Sequence, residues 1–337
     1  MVELEDFHVE EIPAYAPSGS GEHCLVLLEK RDLTTPAAIR RLCGALGLDP
    51  AAAGYAGLKD RHGVTRQWIS LHQVEPQRVR AVELEGLRVL EAQLHHNKLR
   101  PGHLRGNRFE VVLRGTVDDA MERARAVLGR LTREGLPNYF GDQRFGREGD
   151  NAAEGLRLLR GELKLRDRFK RRLLASALQS ALFNDVLAVR TSQGMLRRIW
   201  GGEVLQRVDS GGLFISDPCE RDLDQRRLDA GELCITGPIC GPRMPLPAPG
   251  SQALELEQQV FQQHGVTPEA FGALGRIARG GRRPLTVQVE SATVEQVPDG
   301  LRLTFSLPPG AYATVLLREV TKQEEARLPT GARGSPG

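Results

Sequence analysis

At 337 residues, 40% hydrophobic and 26% charged, with a net charge of only +3, the chain is long enough for two ordinary cores and gives no global electrostatic case for nucleic acid. No apolar run approaches the about 20 residues of a membrane span, and the acidic start MVELEDFHVEEIP lacks the basic flank and apolar stretch of a secretory signal, so we expect a cytoplasmic protein without membrane association. The basic residues are overwhelmingly Arg, whose planar fork suits phosphate. Cys24, Cys43, Cys219, Cys234 and Cys240 are scattered without a C-x-x-C pair or zinc-ligand spacing, so reduced thiols and no metal are expected.

In chain order, TTPAAIRRLCGALG reads as a complete helix, with Thr34 or Thr35 as cap, Pro36 in the first turn and Gly47 after the last. WISL and Arg108–Arg114 have strand character, and Val117–Arg133 reads as a second helix. From Ala152 to Arg190 the pattern is helical, and Leu174, Leu178 and Leu182 form one apolar face. Around the start of the segment RFKRRLLASALQSALFNDVLAVR lie Arg166, Arg168, Lys170, Arg171 and Arg172, cations that oppose the helix dipole and suit either a solvated face or an anionic partner. GPICGPRMPLPAPG reads as a loop, and helices are expected over Leu254–His264 and Pro268–Ala278. LTVQVE, LRLTFSL and YATVLLR then read as strands, and EEARLPTGARGSPG as a disordered tail. Strands at both ends around a helix-rich middle predict one sheet domain interrupted by an insertion.

Four segments combine glycine, cation and aromatic. GYAGLKDRHGVTRQWISL sets Asp60 among Lys59, Arg61, His62 and Arg66. A surface ion pair is the commoner reading of such a turn; the other is a carboxylate kept ionised by cations for work on RNA. HHNKLRPGHLRGNRF has no acid, and its Lys98, Arg100, Arg105 and Arg108 can meet phosphates. LPNYFGDQRFGREGDN places Tyr139, Phe140 and Phe145 beside Arg144 and Arg147, equipment either for stacking unpaired bases or for a loop packed under a helix, and Asn138 adds an amide. LPPGAYATVLLRE brings Tyr312 to the start of an expected strand. His23 lacks a triad context, and neither a Walker A loop nor a dinucleotide fingerprint is present.

These segments, with EDFHVEEI, GSGEH and KRRLLASALQSALFN, resemble in order the signatures of the tRNA pseudouridine synthase D (TruD) family over roughly Leu4 to Glu319. The resemblance implies an α+β fold with a pseudouridine-synthase-type mixed, mostly antiparallel sheet, flanking helices and an inserted α/β TRUD domain. It divides the chain into a discontinuous catalytic domain at 1–145 and 285–320, the insertion at 146–284, and a disordered tail at 321–337. The implied activity is isomerisation of a tRNA uridine, at position 13 in the best-known members, with tRNA as partner and neither cofactor, metal nor obligate protein partner. It places catalysis on Asp60, as nucleophile or base, and substrate contacts on Tyr15, Asn138, Phe140 and Tyr312, where many members carry Phe. Lys59, Lys98, Arg100, Arg105 and Arg144 become the expected phosphate ligands. A non-catalytic RNA-binding or chaperone protein is the alternative for the same residues.

Overall fold

In chain order the main elements are β1 (Phe7–Pro13), β2 (His23–Arg31), α1 (Thr35–Leu46), β3 (Gly54–Tyr55), β4 (Val64–His72), α2 (Pro76–Arg80), β5 (Leu87–His95), β6 (Leu104–Arg114) and α3 (Ala120–Glu134). There follow β7 (Leu136–Pro137), α4 (Asn151–Leu159), α5 (Arg168–Ser192), β8 (Val204–Arg207), β9 (Leu213–Ile215), α6 (Arg221–Asp229), β10 (Leu233–Ile239), α7 (Gln252–Gln263), β11 (Gly281–Pro284), β12 (Thr286–Val287), β13 (Glu290–Val297), β14 (Gly300–Leu307) and α8 (Ala313–Thr321). This computed structural model describes residues 3–146 and 148–322, so Arg147 and nearly all of the expected tail lie outside the described residues. Of the described residues, those up to Arg133 together with those from Gln288 to Lys322 form one unit, and Glu134–Val287 forms the other.

The first unit is built on a sheet of order β13-β14-β6-β1-β4-β2-β5, with β3 on β4. Among the described residues only β1 and β4 pair in parallel, from His8↔Val64 to Glu10↔Arg66. Strand β6 pairs with β14 from Asn107↔Leu307 to Arg114↔Gly300, so both ends of the chain build one sheet. Alternation along β2 turns Cys24, Val26 and Leu28 toward Ile39, Leu42 and Leu46 of α1, forming a core with Ile69, Leu71 and Ala92. Helix α1 follows its sequence signals: the Thr34 hydroxyl accepts from the Ala37 N–H at 3.3 Å, and Gly47 closes the helix at φ 67°.

In the second unit α5 is the central helix. Its Leu174, Leu178 and Leu182 pack with Val260 and Phe261 of α7 and with Phe271. A sheet of order β11-β10-β8-β9 and the β7–β12 pair complete the unit. The expected helix over Pro268–Ala278 is a 3-10 segment, Glu269–Ala278, broken at Gly275.

Two expectations near the C-terminus differ from the fold. YATVLLR is helix α8, in which Ala313, Val315, Leu316 and Leu317 are buried; a short apolar run does not distinguish strand from helix by periodicity. Tyr312 is therefore the residue preceding a helix, not the start of a strand. LTVQVE contributes only two residues to β12, while the unpredicted β13 lies on the sheet edge, where a polar sequence with few buried side chains is tolerated.

The parallel pairing of β1 with β4 brings Gly63 against Phe7. Gly63 has φ 134°, and a Cβ there would lie 2.5 Å from the Phe7 carbonyl oxygen. Gly63→Ala should therefore destabilise the protein by at least about 2 kcal/mol, combining backbone strain with displacement of β1, as read from urea unfolding midpoints.

Candidate active site

Asp60 lies on the turn between β3 and β4, and this turn is tied down from below. Lys30, at the end of β2, is fully buried. Its ammonium donates to the Asp60 carbonyl at 2.7 Å and to the Leu33 carbonyl at 2.5 Å. Burial pulls the Lys30 pKa down to about 8, against the upward pull of Asp60; Lys59 adds to the fall and Asp32 opposes it. The Lys59 N–H donates to the Thr35 hydroxyl, which donates to Gln67 on β4, and the Gly102 N–H donates to the Ala56 carbonyl. Backbone and core hold this turn in place.

The cations adjacent to Asp60 in sequence are directed elsewhere. Lys59 reaches Glu11 at 2.6 Å, with the two side chains 4% and 1% exposed. Burial raises the Glu11 pKa while Lys59 lowers it, and Glu11 also accepts from the Trp68 N–H. Lys59 is consequently a buried ion-pair partner rather than a phosphate ligand, which corrects its expected role. Arg61 and His62 both face Asp32, at 3.2 and 3.3 Å, and Arg66 pairs with Glu29 at 2.9 Å. The Asp60 carboxylate is left exposed, with no hydrogen bond or ion pair among the described residues.

Elsewhere in the first unit, Lys98, Arg100, Arg105 and Arg108 have no acidic partner among the described residues, and Arg100, Arg105 and Arg108 are exposed. Tyr15 stacks on His95 with ring centroids 5.0 Å apart, and its hydroxyl shares a 2.8 Å hydrogen bond with His103 Nδ1. It packs against Leu25, Trp68 and Leu99. Tyr312 is half-buried.

Asn138, Phe140 and Arg144 belong to the second unit. The backbone N–H of Phe140 donates to Asn184 Oδ1 at 2.9 Å, and Asn184 Nδ2 donates back to the Phe140 carbonyl at 3.0 Å, fastening the residue to α5. The Phe140 ring meets Phe183 edge-on at 5.5 Å and carries the Arg283 guanidinium 4.1 Å from its centroid, with Arg144 at 5.5 Å. Arg144 Nε donates to the Ser180 hydroxyl at 3.3 Å. Asn138 has a fixed amide: Nδ2 donates to the Pro284 carbonyl at 2.8 Å, and Oδ1 accepts from Arg283 at 2.5 Å. Phe140, Arg144, Ser176, Ser180 and Arg283 help to line a cavity of about 380 Å³. It offers an aromatic ring, hydroxyls and guanidinium groups, the complement of a nucleotide.

The sequence profile of the family described as "tRNA pseudouridine synthase D (TruD)" matches residues 2–166 and 163–320. The chain belongs to the TruD family. Among its relatives, the tRNA pseudouridine synthase D of Anaeromyxobacter sp. (strain Fw109-5) is 44% identical over 325 residues, covering 94% of this chain and 90% of the relative. A tRNA pseudouridine synthase D of Thermus thermophilus is 42% identical, covering 96% of this chain and 88% of the relative. The crystal structure of the putative tRNA pseudouridine synthase D from Methanosarcina mazei matches the fold with a TM-score of 0.74 at 23% identity, over 96% of this chain and 93% of that one. The α+β architecture is thus that of a TruD protein.

Sequence reading of this TruD member missed Lys30, Glu11, Asn184 and Arg283. Lys30 had one signal: a lysine ends the apolar strand CLVLLEK, two positions beyond the core residue Leu28 and on the same face. Since the folded state holds the Lys30 proton less tightly than the unfolded chain does, stability is relieved as pH rises through about 8 toward the normal lysine value. The stability of the wild type relative to Lys30→Met should therefore increase between pH 7 and 10, by an amount on the order of a few kcal/mol. Paired urea titrations across that range check it; a flat difference would show that Lys30 is not desolvated.

Proposed function

We propose that this chain isomerises a uridine of tRNA to pseudouridine, at position 13 as expected for the family, with Asp60 as its catalytic residue and neither metal nor cofactor. The observation that carries the reading is the state of Asp60: its carboxylate is exposed and unpaired while the adjacent cations pair with other acids, on a turn anchored through its backbone. A surface ion pair would leave that carboxylate bridged. An anchored turn with an uncommitted carboxylate suits a group that must meet a substrate.

The target base leaves its stack at a cost of a few kcal/mol. In the roles the family resemblance implies, Phe140 and Tyr312 replace the lost stacking, Asn138 holds an edge of the uracil once Arg283 gives up its Oδ1, and Tyr15 offers ring surface, its hydroxyl being engaged by His103. Asp60 either attacks the sugar or ring as a nucleophile, its bond to the substrate breaking again before product forms, or removes a sugar proton and returns it once C1′ has bonded to C5. The C1′–N1 bond breaks, the uracil turns, C1′ bonds to C5, the C5 proton departs and N1 gains one. Atoms balance without an external reagent. Lys98, Arg100, Arg105 and Arg144 hold flanking phosphates, so binding weakens as salt rises.

Asp60→Asn should bind an unmodified tRNA transcript within about twofold of wild type, the changed group being exposed, and form no pseudouridine in base-specific chemical mapping. Undiminished turnover by this variant would remove Asp60 from the reaction, and wild-type enzyme that binds but never converts the transcript would leave a non-catalytic RNA-binding protein. Phe140→Leu should lower the rate by the equivalent of about 1 to 3 kcal/mol of base stacking, measured under single-turnover conditions.

A further inference from the structure

The start of α5 carries a feature that neither packing nor the proposed chemistry uses. Phe169, in the first turn of this 25-residue helix, is 76% exposed. Arg166, Arg168 and Arg172 around it are exposed and have no ion pair among the described residues, whereas Lys170 pairs with Glu154 at 3.5 Å. These cations do not compensate for an unsatisfied helix end. Asp167 already caps it, accepting from the N–H groups of Phe169 at 2.7 Å and Lys170 at 3.3 Å. Positive charge here opposes the dipole and is unfavourable to the helix itself.

The second observation is where this face leads. At 100° per residue, Arg172, Ser176, Ser180 and Phe183 all lie within about 60° of Phe169 on one stripe of α5. Ser176 and Ser180 line the Phe140 cavity, Ser180 accepts from Arg144, and Phe183 meets the Phe140 ring. The stripe thus runs from an exposed aromatic ring, past an unpaired guanidinium, into the cavity. From Phe169 to Ser180 it covers about 16 Å of helix axis, at about 1.5 Å per residue, a span that a few nucleotides cover.

We propose that this stripe is an RNA track in which Phe169 stacks on an unpaired tRNA base a few nucleotides along the strand from the uridine held at Phe140, and Arg172 holds a phosphate between them. The inference rests on the reading that the Phe140 cavity receives the target base. Charge complementarity selects the occupant: three unpaired arginines beside an exposed aromatic ring suit a single-stranded polyanion with bases to stack.

The test is steady-state pseudouridine formation on a full-length tRNA transcript, together with equilibrium binding followed by tryptophan fluorescence. Phe169→Ala should raise KM at least about fivefold, the low end for losing one stacked base, with kcat at saturating tRNA unchanged. Phe169→Trp should restore KM, and saturating tRNA should quench its fluorescence beyond any change in wild type, which carries Trp68 and Trp200. Arg172→Ala should lower the slope of log affinity against log salt by about 0.7. A wild-type KM in Phe169→Ala, or an indole at position 169 that tRNA leaves unquenched, overturns the track. Failure of the underlying base-site reading has a different signature, an undiminished single-turnover rate in Phe140→Leu. The quenching assay requires no turnover and separates the two.

Discussion

The ammonium of Lys30, taken out of water at the end of β2, is the interaction around which the candidate active site is arranged. A buried charge without partners is costly, and Lys30 meets that demand with backbone carbonyls rather than with an acid: Asp60 on one side and Leu33 on the other. The choice of carbonyls matters. A carboxylate partner would have taken the lysine into a direct ion pair, whereas carbonyls fix the backbone of the residue above it and leave Asp60 and Asp32 to offset part of the cost of burial at longer range. The Asp60 side chain is thereby positioned through its own main chain, and its carboxylate remains in solvent.

The same logic explains why the cations flanking Asp60 turn away. The Lys59–Glu11 pair is taken out of water, and breaking such a pair from one side costs about 3 to 5 kcal/mol, so Lys59 belongs to the sheet rather than to a ligand. Asp32 is shared by Arg61 and His62, and Glu29 takes Arg66. Three acids on β1, β2 and the turn following β2 absorb the positive charge that proximity in sequence would have assigned to Asp60. What remains near it is the buried charge of Lys30, which is not screened as a surface cation would be.

Much of the fold was legible because its signals are local. Thr34, Pro36 and Gly47 bound α1 by cap chemistry, and the leucine spacing of α5 marks its buried face. The strand and helix assignments failed where local and tertiary signals compete: YATVLLR is rich in β-formers but is recruited as a helix by burial of Val315, Leu316 and Leu317, and β13 has almost no apolar signature because it has a single neighbour. Glycine, cation and aromatic composition marked the segments that hold Asp60 and Phe140, and the family resemblance rather than that composition selected the two residues. Their supports could not be singled out, since Lys30 lies thirty residues before Asp60, and Arg283 is about 140 residues beyond the Phe140 ring it covers. Such contacts are products of topology. A lysine at the end of a strand reads as solvent-exposed until β4 and the turn that precedes it are laid over it.

Arg283 also constrains how a base can use the Phe140 ring. Its guanidinium lies 4.1 Å from the ring centroid and holds Asn138 Oδ1, so both features suited to a uracil are already engaged by one side chain. A base that stacks on that face replaces a cation–π contact worth about 0.5 to 2 kcal/mol with base stacking worth about 1 to 3 kcal/mol. The two ranges overlap, so the exchange by itself gives little net affinity for a nucleotide. On the proposed reading, binding strength comes instead from phosphate contacts outside the cavity, for which Arg172, exposed and without an ion pair among the described residues, is a donor on the same helix, while the cavity contributes discrimination and placement. A displaced Arg283 remains a cation at the cavity wall, where the phosphate of the entering nucleotide is the natural replacement for the ring it has left.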